Sequence, residues 1–103
     1  MKDDQNYLQF AENFGKGISN TIRFQILTLL SKHQMTVSEI VEKTGALQST
    51  VSQHLLVLKN GQLIISEKKG QYVYYSLNFD YMITGLKGLT ALLEKNASKE
   101  IQE

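Results

Sequence analysis

The sequence predicts a small, mainly α-helical domain with one β-hairpin, an α+β arrangement in the order α-α-α-α-β-β-α. Three observations carry that prediction. Apolar residues recur at spacings of three and four through most of the chain, the period of amphipathic helices. Between residues 63 and 77 the period changes, and two runs rich in β-branched and aromatic residues flank Lys68-Lys69-Gly70. The length of 103 residues suits one domain covering residues 1–103.

Residues 4–15 place Tyr7, Leu8, Phe10, Ala11 and Phe14 on one side of a helix that is expected to end near Gly15 and Gly17. Ser19 or Asn20 can cap a second helix running to about Ser31, with Ile22, Ile26, Leu29 and Leu30 inward and Arg23, Gln25 and Thr28 outward. Thr36-Val-Ser-Glu39 is a capping-box pattern, in which hydroxyl and carboxylate each satisfy a backbone amide that the helix leaves unpaired. It opens a short third helix with Val37, Ile40 and Val41 inward and Gly45 at its left-handed end. A fourth helix begins near Leu47 or Gln48, runs to about Asn60, and buries Val51, Leu55 and Leu58.

Leu63–Glu67 and Gln71–Leu77 then read as the strands of a hairpin. On the second strand Val73, Tyr75 and Leu77 share one face, with Tyr72 and Tyr74 on the other. A last helix, with Asp80 as its N-cap, runs to about Lys95 and sets Met82, Leu86, Leu89 and Leu93 along one seam. The final eight residues are expected to fray. Gly85 and Gly88 inside that helix cost about 1 kcal/mol each relative to alanine, which points to close packing or a locally weak helix.

Composition then narrows the function. The chain is 42% hydrophobic and 20% charged, the balance of an ordinary globular protein. It has no cysteine, which excludes disulfides, thiolate zinc sites, iron–sulfur clusters and thiol redox switches. Its apolar runs fall far short of the roughly 20 residues that span a bilayer, so no membrane partner is expected. No charged-then-apolar leader opens the chain, and the expected location is cytoplasmic. No Ser/His/Asp set, glycine-rich phosphate loop or paired-carboxylate motif points to an enzyme. The net charge of +1 is unevenly spread. Residues 16–79 hold Lys16, Arg23, Lys32, Lys43, Lys59, Lys68 and Lys69 against Glu39, Glu42 and Glu67, while both ends are acidic. A basic centre suits an anionic partner.

Helix, helix, short helix, short turn, helix, basic hairpin, helix is the order of a winged helix-turn-helix. The turn Gly45-Ala46-Leu47 supplies the break that the DNA-binding motif requires. In that geometry the second helix of the pair enters the major groove, with its N-terminal residues at base edges. Those residues are Gln48, Ser49, Thr50, Ser52, Gln53 and His54, all uncharged at neutral pH and all able to donate or accept hydrogen bonds. Serine and threonine also favour helix starts for capping alone. Lys68 and Lys69 are expected at the hairpin tip, where a basic loop can follow the phosphate backbone or enter the minor groove, or simply solubilise a turn. Arg23, Lys43 and Lys59 are further phosphate candidates. The helix-turn-helix and wing thus span 19–77, between terminal helices at 1–16 and 80–96. The predicted partner is double-stranded DNA.

From Phe14 to Leu77 the chain resembles bacterial transcriptional repressors of the ArsR/SmtB type. The matching residues are Ser19-Asn-Thr-Ile-Arg23 through Ile26-Leu27, Thr36-Val-Ser-Glu-Ile40, Gln48-Ser-Thr-Val-Ser-Gln-His-Leu55 and Tyr72-Val-Tyr-Tyr75. The resemblance implies a homodimer joined by its first and last helices, which binds an inverted-repeat operator and represses transcription. Some positions depart from the family pattern. Thr21 stands where a proline is usual, Leu47 where a serine cap is usual, and Gln62 in a slot before Leu63-Ile64 usually held by glycine. Gln53 and Leu56 occupy positions that are often basic, so only modest non-specific affinity is expected. Metal sensors in the family place cysteines in the third helix, or histidines and carboxylates along the last. Here the third helix reads Val37-Ser-Glu-Ile-Val41, the last has no histidine, and His33 and His54 are the only imidazoles. No metal, no other cofactor and no sulfide or persulfide sensing is expected. Nothing in the chain names an effector.

A chain this short buries only roughly 60–65% of its unfolded surface and has reason to associate. Tyr7, Phe10, Phe14, Met82, Leu86, Leu89 and Leu93 are therefore expected at a dimer interface. A two-fold dimer would set its reading helices about 34–36 Å apart, one turn of DNA. The main alternative is a winged-helix module that binds protein, which would expose apolar residues on the fourth helix; Leu56 is one. A second alternative keeps DNA binding and drops ligand control, leaving a constitutive repressor set by its own abundance.

Overall fold

The computed structural model describes residues 2–102. Its elements follow the expected order: α1 (Lys2–Ile18), α2 (Thr21–Leu30), α3 (Val37–Thr44), α4 (Gln48–Asn60), β1 (Ile64–Lys69), β2 (Tyr72–Leu77) and α5 (Phe79–Gln102). Short-range chemistry sets most of the boundaries. Asn20 caps α2 by accepting from the Arg23 amide at 3.0 Å, leaving Thr21 at the first helical position. That position needs no amide partner, which is why a proline is welcome there. The capping box on α3 is complete, with the Glu39 amide donating to Thr36 Oγ1 and the Thr36 amide to Glu39 Oε1. These bonds from Thr36 hold the Glu39 carboxyl below the usual carboxylate range. Gly45 ends α3 in the left-handed conformation, at φ 72°.

Three helix boundaries differ in detail from expectation. First, both glycines lie inside α1, which ends one residue past Gly17, at Ile18. A Cβ on Gly17 would overlap Leu63 and stand 3.3 Å from Leu58, so the missing side chain lets α1 lie directly on the core. That packing outweighs a helix penalty of about 1 kcal/mol. Second, the side chain at the start of α5 that caps it is Asn78, not Asp80: Asn78 Oδ1 accepts from the Tyr81 amide at 3.3 Å, and Asp80 lies within the first turn. Asn78 also donates to the Gln62 carbonyl at 2.9 Å, tying the start of α5 to the connection between α4 and β1. Third, α5 runs past Lys95 to Gln102 because its last turns contain no glycine or proline to stop them.

Gly85 and Gly88 resolve to close packing. A Cβ on Gly85 would overlap the Phe10 ring, and one on Gly88 would overlap the Tyr7 ring. Aromatic rings of α1 thus fill the gaps in α5. Phe10 stacks on Phe14 at 5.5 Å between centroids and meets Tyr81 edge-on at 5.3 Å. The core beneath comprises Phe10, Ile26, Leu27, Leu30, Met35, Ile40, Val51, Leu55, Leu58, Leu63, Ile64 and Leu77.

β1 and β2 pair antiparallel, from Ile64 opposite Leu77 at the core end to Lys69 opposite Tyr72 at the tip. Gly70 has φ 64°, and Gln71 does not share that positive value, the pattern of a two-residue II′ turn. Met35 adds a bridge to Tyr75, each residue's amide donating to the other's carbonyl. This third contribution to the sheet went unmarked in the sequence pattern. A signal did exist: Met35 directly precedes the Thr36 cap and Ile40 sits four residues into the box, the positions of a hydrophobic staple, and both are buried.

Candidate nucleic-acid interface

α4 is half core and half open surface. Val51, Leu55 and Leu58 face inward, which turns Gln48, Ser49, Ser52 and Gln53 outward together at helical spacing, all exposed. Leu56 shares that outer face, at 59% exposure. Thr50 and His54 sit at its edge, half-buried. Leu47, at the N-cap, makes no side-chain hydrogen bond, so the first amides of α4 have no side-chain cap. Lys59 in the last turn is the helix's one charged residue.

The basic residues divide into free and engaged groups. Lys43, in the last turn of α3, is exposed, as is Lys59. Lys68 and Lys69 do not form the hairpin loop as expected: both belong to β1, opposite Val73 and Tyr72, because the turn closes with Gly70 and Gln71 alone. Alternation along the strand sends their side chains to opposite faces. Lys69 turns back to Gln34 Oε1 at 3.2 Å and Glu67 at 3.6 Å, and lies 5.5 Å from the Tyr74 ring centroid. Lys68 is exposed.

Arg23 is the most heavily engaged cation. Its Nε and Nη2 donate to the Lys16 carbonyl at 3.2 and 2.9 Å, its Nη2 also to Ser19 Oγ at 3.3 Å, and its Nη1 lies 3.2 Å from His54 Nδ1. The side chain expected to meet phosphate is thus tied along the protein surface, joining the last turn of α1 to the middle of α4. Burial, and then the charge of Arg23, hold the His54 imidazole below its ordinary pKa.

Gln62, in the slot before Leu63-Ile64, has φ 64°, the left-handed region that favours glycine. Of the residues expected at a dimer interface, Phe10 is 2% exposed and belongs to the protomer's own core, because Gly85 leaves room for its ring. Tyr7, Phe14, Met82 and Leu89 are half-buried. Leu86 and Leu93 are exposed, at 40% and 69%. Among the described residues, no helix is long and apolar enough to cross a membrane, and no group of three or more His, Asp or Glu is placed to hold a metal ion.

A helix-turn-helix whose second helix presents a row of polar side chains, followed by a two-stranded wing, defines a DNA-binding transcriptional regulator rather than an enzyme. Residues 20–66 match the model of bacterial regulatory proteins of the arsR family. The chain is 41% identical to the transcriptional repressor SdpR of Bacillus subtilis over 64% of its own length and 73% of that protein. The homodimeric winged helix-turn-helix DNA-binding domain Mb0332 of Mycobacterium bovis, a possible ArsR-family regulator, superposes with a TM-score of 0.67 at 29% identity, covering 92% of this chain and 84% of that one. An ArsR-like regulator from Rhodococcus sp. RHA1 shares the fold at TM-score 0.84 and 19% identity, over 93% of this chain and 90% of that one. The chain belongs to the ArsR family.

Proposed function

We propose that the protein is a homodimeric repressor that binds an inverted-repeat operator, one α4 in each major groove. The outward row on α4 carries this reading: Gln48, Ser49, Ser52 and Gln53 are exposed on one face, with Thr50 and His54 at its edge. Amide and hydroxyl side chains offer both donors and acceptors to base edges. Lys43, Lys59, Lys68 and Lys69 lie on the exposed surface of the same module and serve the phosphates. Few charges on α4 itself make the non-specific component weak, so discrimination rests on hydrogen bonds.

Dimerisation follows from the apolar surface that one protomer leaves open. Leu86 and Leu93 project from α5, and Phe14, Ile18, Phe24, Leu27, Leu77, Met82 and Leu86 line a groove of about 260 Å³. Exposed apolar surface of that kind marks an interface. Tyr7 and Leu89 border a second groove, between α1 and α5. The homodimeric state of the Mycobacterium bovis domain supports dimerisation. The protein acts in the cytoplasm and binds its operator without a metal cofactor.

The deciding experiment is selection from a random duplex pool at about 0.15 M salt, where phosphate attraction is screened as in the cell. Enrichment of a palindrome with half-sites about 10 base pairs apart, centre to centre, is the expected result. A folded dimer that enriches no sequence would overturn the operator reading and turn attention to a protein partner on the face carrying Leu47 and Leu56.

A further inference from the structure

The contact between Arg23 and His54 determines which hydrogen-bonding group the reading helix presents at its edge. A guanidinium is always protonated and only donates. A ring nitrogen 3.2 Å from Arg23 Nη1 must therefore accept, and an imidazole nitrogen accepts only when it carries no proton. Nδ1 is that nitrogen, so the single proton of the neutral ring sits on Nε2. An imidazolium has no bare nitrogen, and protonation would both break the contact and set two cations side by side. The burial of the ring acts in the same direction.

Nε2 is free to use that proton outward. No hydrogen bond among the described residues involves it, and no buried polar side-chain atom among them lacks a partner, so Nε2 reaches the surface. His54 follows Gln53 and lies one turn after Thr50 on α4. Arg23 itself is anchored at its far side by the Lys16 carbonyl and Ser19 Oγ, so the ring faces a fixed donor and not a wandering side chain.

We infer that Arg23 is a positioning residue for DNA recognition and not a phosphate contact: it fixes His54 as the Nε2–H tautomer, a hydrogen-bond donor aimed at an acceptor on a base edge. Guanine O6 or N7, adenine N7 and thymine O4 have the required chemistry in the major groove. This assignment of Arg23 and His54 rests on the proposed insertion of α4, but the tautomer itself does not.

The test has one arm without DNA and one with it. Long-range proton–nitrogen correlation spectra of the whole protein near pH 7.5 report the protonation of each ring nitrogen, well above an ordinary histidine pKa of about 6.5. For His54 the expected pattern is a bare Nδ1 and a protonated Nε2. His33 is an internal contrast, since its Nδ1 lies 3.1 Å from the Gln34 carbonyl and must carry the proton whenever that bond is made. In Arg23→Gln the His54 pKa should rise, because one of its two depressing influences is gone. A protonated Nδ1 in the wild type, or an unchanged pKa in the variant, would overturn the inference. The wild-type spectrum needs no variant, so it decides the tautomer even if Arg23→Gln unfolds.

With DNA, Arg23→Gln should broaden base preference at one position of each half-site, the same position that His54→Ala broadens, with the salt slope unchanged. A slope lowered by about one unit would make Arg23 a phosphate contact and defeat the inference. A uniform loss for His54→Ala across all sequences would assign the acceptor to a phosphate oxygen and defeat the base-edge role. Failure of all specific DNA binding would leave the spectral arm standing and so be distinguishable.

Discussion

Single residues carry more of this structure's tension than its helices do. Gly85 and Gly88 would ordinarily gain about 1 kcal/mol on replacement by alanine in a helix. Here the added methyl meets the ring of Phe10 or Tyr7, and the Phe10 ring is buried in the core. Gly85→Ala should therefore destabilise by about 1–3 kcal/mol, the usual cost of overpacking, measured as a lower urea midpoint at constant slope. Phe10→Leu in the same chain should restore part of the loss, since the two changes share one contact. Gln62 is the opposite case. Held at φ 64°, it bears a strain of order 1 kcal/mol that glycine would not. Gln62→Gly should raise the urea midpoint, and a lowered one would mean that the Gln62 side chain makes a contact outweighing its backbone strain.

Elements set what each residue can reach. α4 is placed by Val51, Leu55 and Leu58 against the core, and its outer row follows from that burial. β1 carries its two lysines on opposite faces, one engaged and one free. They should therefore differ in effect. Lys68→Ala should weaken binding to all sequences alike and lower the salt slope by about one unit. Lys69→Ala should change the slope less, because its ammonium already lies near Glu67. Gln53→Ala should leave the slope alone and cost about 1–3 kcal/mol at one base pair. Equal slopes for wild type and Lys68→Ala, measured by titration across salt concentrations, would remove the wing from the interface.

At the scale of the molecule, α1 and α5 serve two purposes with two faces. One face holds them together through Phe10, Tyr7 and the glycines of α5. The other leaves Leu86 and Leu93 exposed, the surface proposed to meet a second copy. Leu86→Asp should leave the protomer folded, since the side chain is already exposed, and yield a monomer by sedimentation. That monomer should bind the operator poorly, because one half-site contact replaces two linked ones. A monomer with full operator affinity would sink the dimeric reading. His54 adds a pH dependence for the whole fold. Its folded-state pKa lies below that of the unfolded chain, so the unfolded state takes up the proton first. Stability should thus be intact above the ordinary histidine pKa of about 6.5 and decline as pH falls from there toward the depressed value, an effect that His54→Gln removes.

The sequence by itself determined what is encoded within a turn or two of chain. Thr36 and Glu39 are three residues apart, Gly45 needs only its own backbone freedom, and the spacing of Val51, Leu55 and Leu58 reports burial directly. Such features made the element order and the buried face of α4 legible, as local energies of capping and periodicity act before any long contact forms, while the family resemblance rested on motifs such as Gln48-Ser-Thr-Val-Ser-Gln-His-Leu55. The tertiary structure decided what depends on partners far along the chain. Arg23 and His54 are 31 residues apart, and only the folded chain brings Nη1 of one to within 3.2 Å of Nδ1 of the other. Asn78 displaced Asp80 as the cap of α5 while also donating to the carbonyl of Gln62, 16 residues away. Gly17 is held inside α1, and Phe10 lies in the protomer's own core, for one physical reason: a glycine's local penalty of about 1 kcal/mol is smaller than the packing it permits, and packing exists only once the neighbouring element is in place.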